Sequence, residues 1–327
     1  MTQNILGLDI GGTKCAVIYG ILEDGMPRIA DKIRFDTTSA PETIENLLST
    51  TCEMMARHGL TAQNTGAIGI SCGGPLSSAT GVVMSPPNLP GWDNIPIVKL
   101  VSERTGVPAA LQNDANACAL AEYKFGAGRG CRNMAFLTFG TGLGAGLIID
   151  GKLYSGTNDN AGELGHIRLA EFGPVGYGKK GSFEGFASGG GVAQIGKTFV
   201  MEAIQNNKKV SWCAPDKVNE ITARQIAEAA AAGDEMAIEI YHTSARYLGK
   251  GLSIVIDILN PELIVIGSVY ARNEKLFYDE MMKVIREEAL AGAVAVCKVV
   301  PAALGEAIGD YASLSIAANL LDNNKNA

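Results

Sequence analysis

Positive charge is scarce in this chain of 327 residues: 27 Lys and Arg stand against 34 Asp and Glu, and the net charge is -7. A surface with that balance is not built to hold nucleic-acid phosphates or an anionic membrane. Long apolar runs are missing as well. The longest uncharged stretch, residues 59–92, is broken by Pro75, Pro86, Pro87 and Pro90, whereas a membrane helix needs about 20 mostly apolar residues in a row. The start, MTQNILGLDIGG, has no basic segment ahead of an apolar core, so no secretory signal is expected. None of the seven cysteines (15, 52, 72, 118, 131, 213 and 297) stands in CxxC spacing, so the pattern suggests neither a disulfide framework nor a thiolate metal site. These absences point to a cytoplasmic protein, most of whose cysteines serve as small core residues.

What is present is a large apolar fraction, 47%, with 19% charged residues, enough for two domains with buried cores. Ile5 to Asp9 reads as a short strand ending in Gly-Gly-Thr, and a second strand resumes at Lys14. Ile44, Leu47, Leu48, Met54 and Met55 fall at helical spacing between Pro41 and His58. Strands are expected at 67–71, 134–138, 145–150 and 263–266, and a helix from Asn113 to Phe125 closed by Gly126. Thr222-Ala-Arg-Gln225 has the form of a capping box, opening a helix that Gly233 ends; another runs from Asp234 towards Leu259. Strands alternating with helices imply an α/β fold.

Residues 5–20, ILGLDIGGTKCAVIYG, and 135–149, AFLTFGTGLGAGLII, share one order: apolar strand, glycine turn with Gly-Thr, apolar strand. A strand running into such a turn exposes successive backbone N–H groups, and glycine lets an anion approach with no Cβ in the way. Either turn alone reads as an ordinary hairpin. Two in matched contexts suggest a grip on a polyphosphate.

LDIGGTK (8–14), PNLPGW (87–92), NDANA (113–117), GTGLGAG (140–146), AGELGH (161–166), LIVIGS (263–268) and PAALGEAIG (301–309) follow in that order. Together they resemble the ROK sugar kinases and repressors of the actin and hexokinase ATPase superfamily. The resemblance implies two RNase H-like lobes around a central cleft. The first lobe is expected at 1–117 with 308–327, the second at 118–307. It implies an ATP-dependent hexose kinase, glucose being the leading substrate. N-acetylmannosamine, N-acetylglucosamine and fructose are alternatives, as is a sugar sensor without catalysis. ROK repressors carry a DNA-reading module; with the phosphate loop at residue 9 and an acidic balance, none is expected here. A homodimer is the family default.

By the same resemblance, Asp114 is the catalytic base that accepts the proton of the sugar hydroxyl, as phosphoryl transfer requires. Without the resemblance, an Asp at this loop-to-helix junction reads as a helix cap. Gly74, Asn88, Asn113, Asp114, Glu163, His166 and Glu184 are the implied sugar contacts. Asp9, Gly11, Gly12, Thr13, Lys14, Gly140, Thr141, Gly142, Gly267 and Ser268 are implied to hold ATP, with Asp9 beside Mg²⁺. After Gly267 the family often has further glycines; here Ser268, Val269 and Tyr270 follow. Tyr270 then either stacks on the base or narrows its pocket.

One departure is sharper. In zinc-bearing relatives the histidine of ELGH and three cysteines of the next turn close a tetrahedral site. Here the cysteine positions read Val175, Tyr177 and Ser182, so no structural zinc is expected. Packing of Tyr177, Phe183 and Phe186, with a hydroxyl or carbonyl fixing the free nitrogen of His166, is the expected substitute.

Overall fold

The computed structural model describes residues 2–325, and by contact density the chain falls into two compact units. Unit 1 comprises 1–132, 146–161 and 303–327; unit 2 comprises 133–145 and 162–302.

Unit 1 is built on a twisted sheet of β1 (Gln3–Ile10), β2 (Lys14–Glu23), β3 (Met26–Asp36), β4 (Thr65–Cys72) and β7 (Ala109–Asn113), in the order β3-β2-β1-β4-β7. β1, β2 and β3 form an antiparallel meander, while β1, β4 and β7 are parallel. Alternation along the strands gives the sheet two apolar faces. Leu6, Leu8, Val17, Ile68 and Ile70 pack with Leu47 and Met54 of helix α1 (Ala40–Arg57) and Val101 of α2 (Ile97–Thr105). On the other face Ile5, Ala16, Ile18 and Ala67 meet Leu314 and Ala317 of α11 (Ile308–Lys325). The helix lies so close that a Cβ on Gly69 would stand 2.0 Å from the Ser313 carbonyl oxygen. α3 (Asp114–Phe125) follows β7 directly and is tied to α11 by Ser315 Oγ, which donates to the Ala117 carbonyl at 3.1 Å. The small hairpin β5 (Leu76–Ser77) and β6 (Val82–Val83) completes the region after β4.

Unit 2 centres on parallel strands β8 (Met134–Phe139), β13 (Leu263–Ile266) and β14 (Lys298–Pro301), with β13 in the middle. β9 (Leu143–Ile149) lies on the other side of β8, and the chain passes into unit 1 within it, where β10 (Lys152–Tyr154) turns back on its end. Helices α4 (Phe183–Phe186), α5 (Gly189–Gln205), α6 (Ala223–Ala231), α7 (Glu235–Leu259), α8 (Ser268–Arg272), α9 (Glu274–Glu288) and α10 (Ala291–Val294) cover the sheet. Its centre is aromatic: Phe277 meets Phe139 and Tyr241 edge-on, each at 5.2 Å. The expected capping residue Thr222 accepts from the Gln225 N–H at 3.2 Å. Among the described residues no helix is long and apolar enough to cross a membrane.

Candidate active site

In unit 1 the registers Ile10↔Cys72 and Cys72↔Asn113 bring the last residues of β1, β4 and β7 level with one another. Whatever follows each strand therefore collects at one edge, the carboxyl edge at which open α/β sheets take ligands. After β1 comes the Gly11–Lys14 turn, closed by the Gly11 N–H donating to the Lys14 carbonyl at 3.1 Å. Thr37 Oγ1 donates to the Gly11 carbonyl at 2.6 Å and holds the turn from outside. After β4 come Gly73 and Gly74, and after β7 comes Asp114. A Cβ on Gly12 would stand 2.5 Å from the Asn88 carbonyl oxygen, and one on Gly74 would stand 3.2 Å from Asn113 Nδ2. Gly12, Gly74, Asn88, Asn113 and Asp114, far apart in sequence, thus share this edge.

Asn113 caps α3: its Oδ1 accepts from the Ala115 N–H at 2.9 Å, and Asp114 Oδ1 accepts from the same group at 2.8 Å. Asp114 occupies the first helical position rather than the cap. Burial raises its carboxyl above the ordinary range, against the lowering effect of the Ala115 N–H. Protein surrounds the group, yet its side chain stays open to water; a base that must meet an incoming hydroxyl needs both. The carboxyl of Asp9 is raised further, from 3.8 to about 6, first by burial and then by Asp310. Lys32 opposes that shift, Asp114 adds to it, and Arg34 opposes it again. Asp310 lies in the first turn of α11 and is ion-paired with Lys32. The register Asp9↔Ala16↔Arg34 puts these charges in one row of the sheet. Cys72 and Cys118 also have raised thiols, through burial and then the Asp114 charge, so neither offers a reactive thiolate.

In unit 2 the turn Gly140–Thr141–Gly142 follows β8, and Gly267–Ser268 follows β13. A Cβ on Gly140 would lie 3.9 Å from Ser268 Oγ, so the two turns are neighbours. Ser268 holds φ = 55°, the left-handed region in which glycine is the easy residue. The start of α5 packs on the first turn: the N–H groups of Gly189 and Gly190 donate to the carbonyls of Gly140 (2.8 Å) and Thr141 (3.2 Å). Beside α8 and α6 lies a pocket of about 560 Å³ lined by Ala223, Arg224, Ala227, Ala231, Val269 and Arg272.

Glu163 immediately precedes the 3₁₀ turn Leu164–His166, and both Glu163 and His166 are exposed. Glu184, on α4, is half-buried, and its Oε2 accepts from the Leu143 N–H at 3.0 Å. One oxygen of this carboxylate is therefore tied to the segment directly after the Gly140–Gly142 turn. No local pattern signals that tether, because its donor is a backbone group 41 residues away.

Two expectations need correction. Tyr270 is fully buried, 5.7 Å from Phe277, so it offers no face for a base to stack on. The segment after His166 is held by Phe183 (0% exposed) and Phe186 (4%), the latter stacked on Tyr247 at 3.5 Å, whereas Tyr177 is 75% exposed. Nor does any hydroxyl or carbonyl among the described residues hydrogen-bond a ring nitrogen of His166; Tyr177 touches that ring edge-on, at 5.2 Å and 78°. Ser182, at one of the cysteine positions, is buried and caps α4 by accepting from the Gly185 N–H at 3.1 Å. Among the described residues no three His, Cys, Asp or Glu side chains form a metal-binding group.

The chain is similar to known proteins over most of its length. A glucokinase of Streptomyces coelicolor is 32% identical over 307 residues, spanning 93% of this chain and 94% of that protein. An N-acetylmannosamine kinase of Shigella flexneri is 31% identical over 266 residues, spanning 81% and 82%. The crystal structure of a ROK family glucokinase from Streptomyces griseus in complex with glucose and AMPPNP superposes with a TM-score of 0.72 at 30% identity, covering 98% of this chain and 99% of that one. Residues 5–319 also match the model of the ROK family: the chain belongs to the ROK family.

Proposed function

We propose that the protein is an ATP-dependent hexose kinase that converts glucose to glucose 6-phosphate. The observation that carries this reading is Asp114, a carboxylate open to water at the strand edge that also carries the Gly11–Lys14 turn. The glucokinases of the two Streptomyces species, similar over almost the whole chain, support glucose as the acceptor. Asp114 accepts the proton of the sugar hydroxyl as that oxygen attacks the γ-phosphorus; the bond to the β–γ bridging oxygen breaks, and ADP leaves. Gly74, Asn88, Asn113, Glu163, His166 and Glu184 are assigned to the ring hydroxyls. Carboxylates and amides suit this task, since each offers fixed acceptors to several O–H donors.

The nucleotide's phosphates are assigned to the turns of Gly11, Gly12, Thr13 and Lys14 and of Gly140, Thr141 and Gly142, whose glycines let an anion approach the backbone. Gly267 and Ser268 adjoin adenosine, for which the neighbouring 560 Å³ pocket has a suitable size. A half-buried carboxylate next to a phosphate turn, as Asp9 is, fits Mg²⁺, which favours one or two carboxylates plus phosphate oxygens. Mg²⁺ brought in with ATP supplies charge neutralisation on the transferring group. The same proposal includes a cytoplasmic location and a homodimer.

The similarity to an N-acetylmannosamine kinase supports a second acceptor class. Initial rates of ADP release with Mg-ATP over glucose, N-acetylmannosamine, N-acetylglucosamine and fructose decide between them. The highest kcat/KM is expected for glucose, and a higher value for an N-acetylated sugar replaces that assignment. The Glu184 tether gives a separate test. A Cβ on Gly142 would stand 2.7 Å from Glu184 Oε2, so Gly142→Ala displaces the carboxylate from the Leu143 N–H. Loss of one hydrogen bond to a charged group, about 1.5–3 kcal/mol, predicts a sugar KM raised roughly tenfold or more. An unchanged sugar KM in that variant contradicts a sugar-holding role for Glu184.

A further inference from the structure

The strands β11 (Val175–Gly176) and β12 (Lys179–Lys180) pair as Val175↔Lys180 and Gly176↔Lys179, leaving a two-residue turn of Tyr177 and Gly178. Both turn residues have positive φ, 43° and 75°. Two-residue turns of this hand favour Asn-Gly, because a side chain larger than Asn is strained in the left-handed region. Tyrosine is thus a poor choice for the turn itself. Nor does burial compensate the strain, since Tyr177 is 75% exposed. Its ring does make one specific contact, edge-on to the His166 imidazole at 5.2 Å and 78°. That is a favoured geometry for two aromatic rings.

The strands on either side of the turn are tied down. Gln194 clamps Val175 from both sides: its Oε1 accepts from the Val175 N–H at 2.9 Å, and its Nε2 donates to the Val175 carbonyl at 2.8 Å. Lys179 Nζ donates to the His166 carbonyl at 2.5 Å, and Arg168 donates to the Lys180 carbonyl at 2.8 Å. The Gly181 N–H closes the base of the hairpin on the Pro174 carbonyl at 2.9 Å. The hairpin is fixed, and the exposed imidazole beside it has no ring hydrogen bond among the described residues.

We propose that Tyr177 is the positioning residue for His166: strained backbone is kept at the turn so that an aromatic edge sets the imidazole plane, leaving both ring nitrogens for sugar hydroxyls. This rests on the reading that His166 contacts the sugar. Tyr177→Asn separates the role from a purely structural one, because Asn-Gly suits the turn better while the ring contact is lost. In the full chain, Tyr177→Asn and Tyr177→Ala are expected to raise the KM for the turned-over sugar about two- to tenfold, the range of an aromatic pair contact. The ATP KM and kcat stay near the parent's, the Tm of Tyr177→Asn is at or above the parent's, and Tyr177→Phe keeps the parental sugar KM.

The second readout does not need turnover. With only three histidines in the chain, the His166 ring C–H resonances can be assigned by substitution. They are expected to lose a ring-current shift in Tyr177→Asn and to keep it in Tyr177→Phe. An unmoved sugar KM and unmoved His166 resonances in Tyr177→Asn overturn the proposal. So does a sugar KM raised only together with a fall in Tm. If the parent turns over no sugar, the kinase reading fails, and the resonances alone decide whether Tyr177 sets the imidazole.

Discussion

Replacing Asp114 by Asn is expected to lower kcat by about a hundred- to ten-thousandfold, the usual range for removing a general base, while glucose and ATP still bind. Asn has nearly the shape of Asp and can still accept from the Ala115 N–H, so the local backbone has no reason to move. The start of α3 is secured independently by Asn113 Oδ1, at 2.9 Å from the same N–H. Stability should not fall either. Burial raises the Asp114 carboxyl, so its charged form is disfavoured in the fold at neutral pH, and a neutral amide removes that penalty. Steady-state kinetics beside calorimetric titration of glucose and of ATP checks this. Loss of turnover with both affinities near the parent's supports a base. A kcat within a few-fold of the parent's assigns proton removal elsewhere.

Asp9→Asn should show the opposite signs for stability and function more strongly. The Asp9 carboxyl has its pKa raised from 3.8 to about 6 by burial and by Asp310. An acid whose folded pKa lies above its unfolded value binds more protons when folded, so stability falls as pH rises between about 4 and 6. Above that window the ionised group costs up to about 3 kcal/mol, at about 1.4 kcal/mol per pKa unit; partial exposure makes about 2 kcal/mol the working figure. Asp9→Asn is therefore expected to be more stable than the parent at pH 8 by about that amount, and equal to it near pH 4. The same substitution removes the carboxylate proposed to face Mg²⁺, so the KM for Mg-ATP rises or turnover falls. Urea unfolding at both pH values separates the cases. A gain of the same size at pH 4 and pH 8 means that the effect is not the Asp9 charge.

The elements that carry the candidate residues were easier to read from sequence than the contacts around them. β1 and β2, both Gly-Thr turns, α3, α6 and α7 follow from periodicity, capping and glycine placement, because each is decided by neighbours in sequence. β3 went unread: it is an edge strand, and its Arg28, Lys32 and Arg34 make the pattern look like a polar loop. The first turn of α5 went unread for a different reason. Gly189, Gly190 and Gly191 look like a flexible linker, but a Cβ on Gly191 would stand 2.1 Å from the Gly185 carbonyl oxygen. Glycine is there for close packing.

The contacts between distant segments were not legible at all. Glu184 to the Leu143 N–H, the Lys32–Asp310 pair near Asp9, and the Gln194 clamp on Val175 each join residues that no local pattern relates. The cysteine positions show the same limit. At 175, 177 and 182, where the resemblance led one to look for cysteines, only the fold shows a capped helix, two buried phenylalanines and a clamped hairpin.

The central claim is transfer of the terminal phosphoryl group of ATP to a hexose hydroxyl. Phosphorus NMR of the protein incubated with Mg-ATP and glucose reads that transfer directly. The expected result is replacement of the γ-phosphate resonance by a sugar phosphomonoester resonance, one for each ADP formed, and none when Asp114 is Asn. ATP left intact with every hexose tried, or converted to ADP and inorganic phosphate alone, would contradict it.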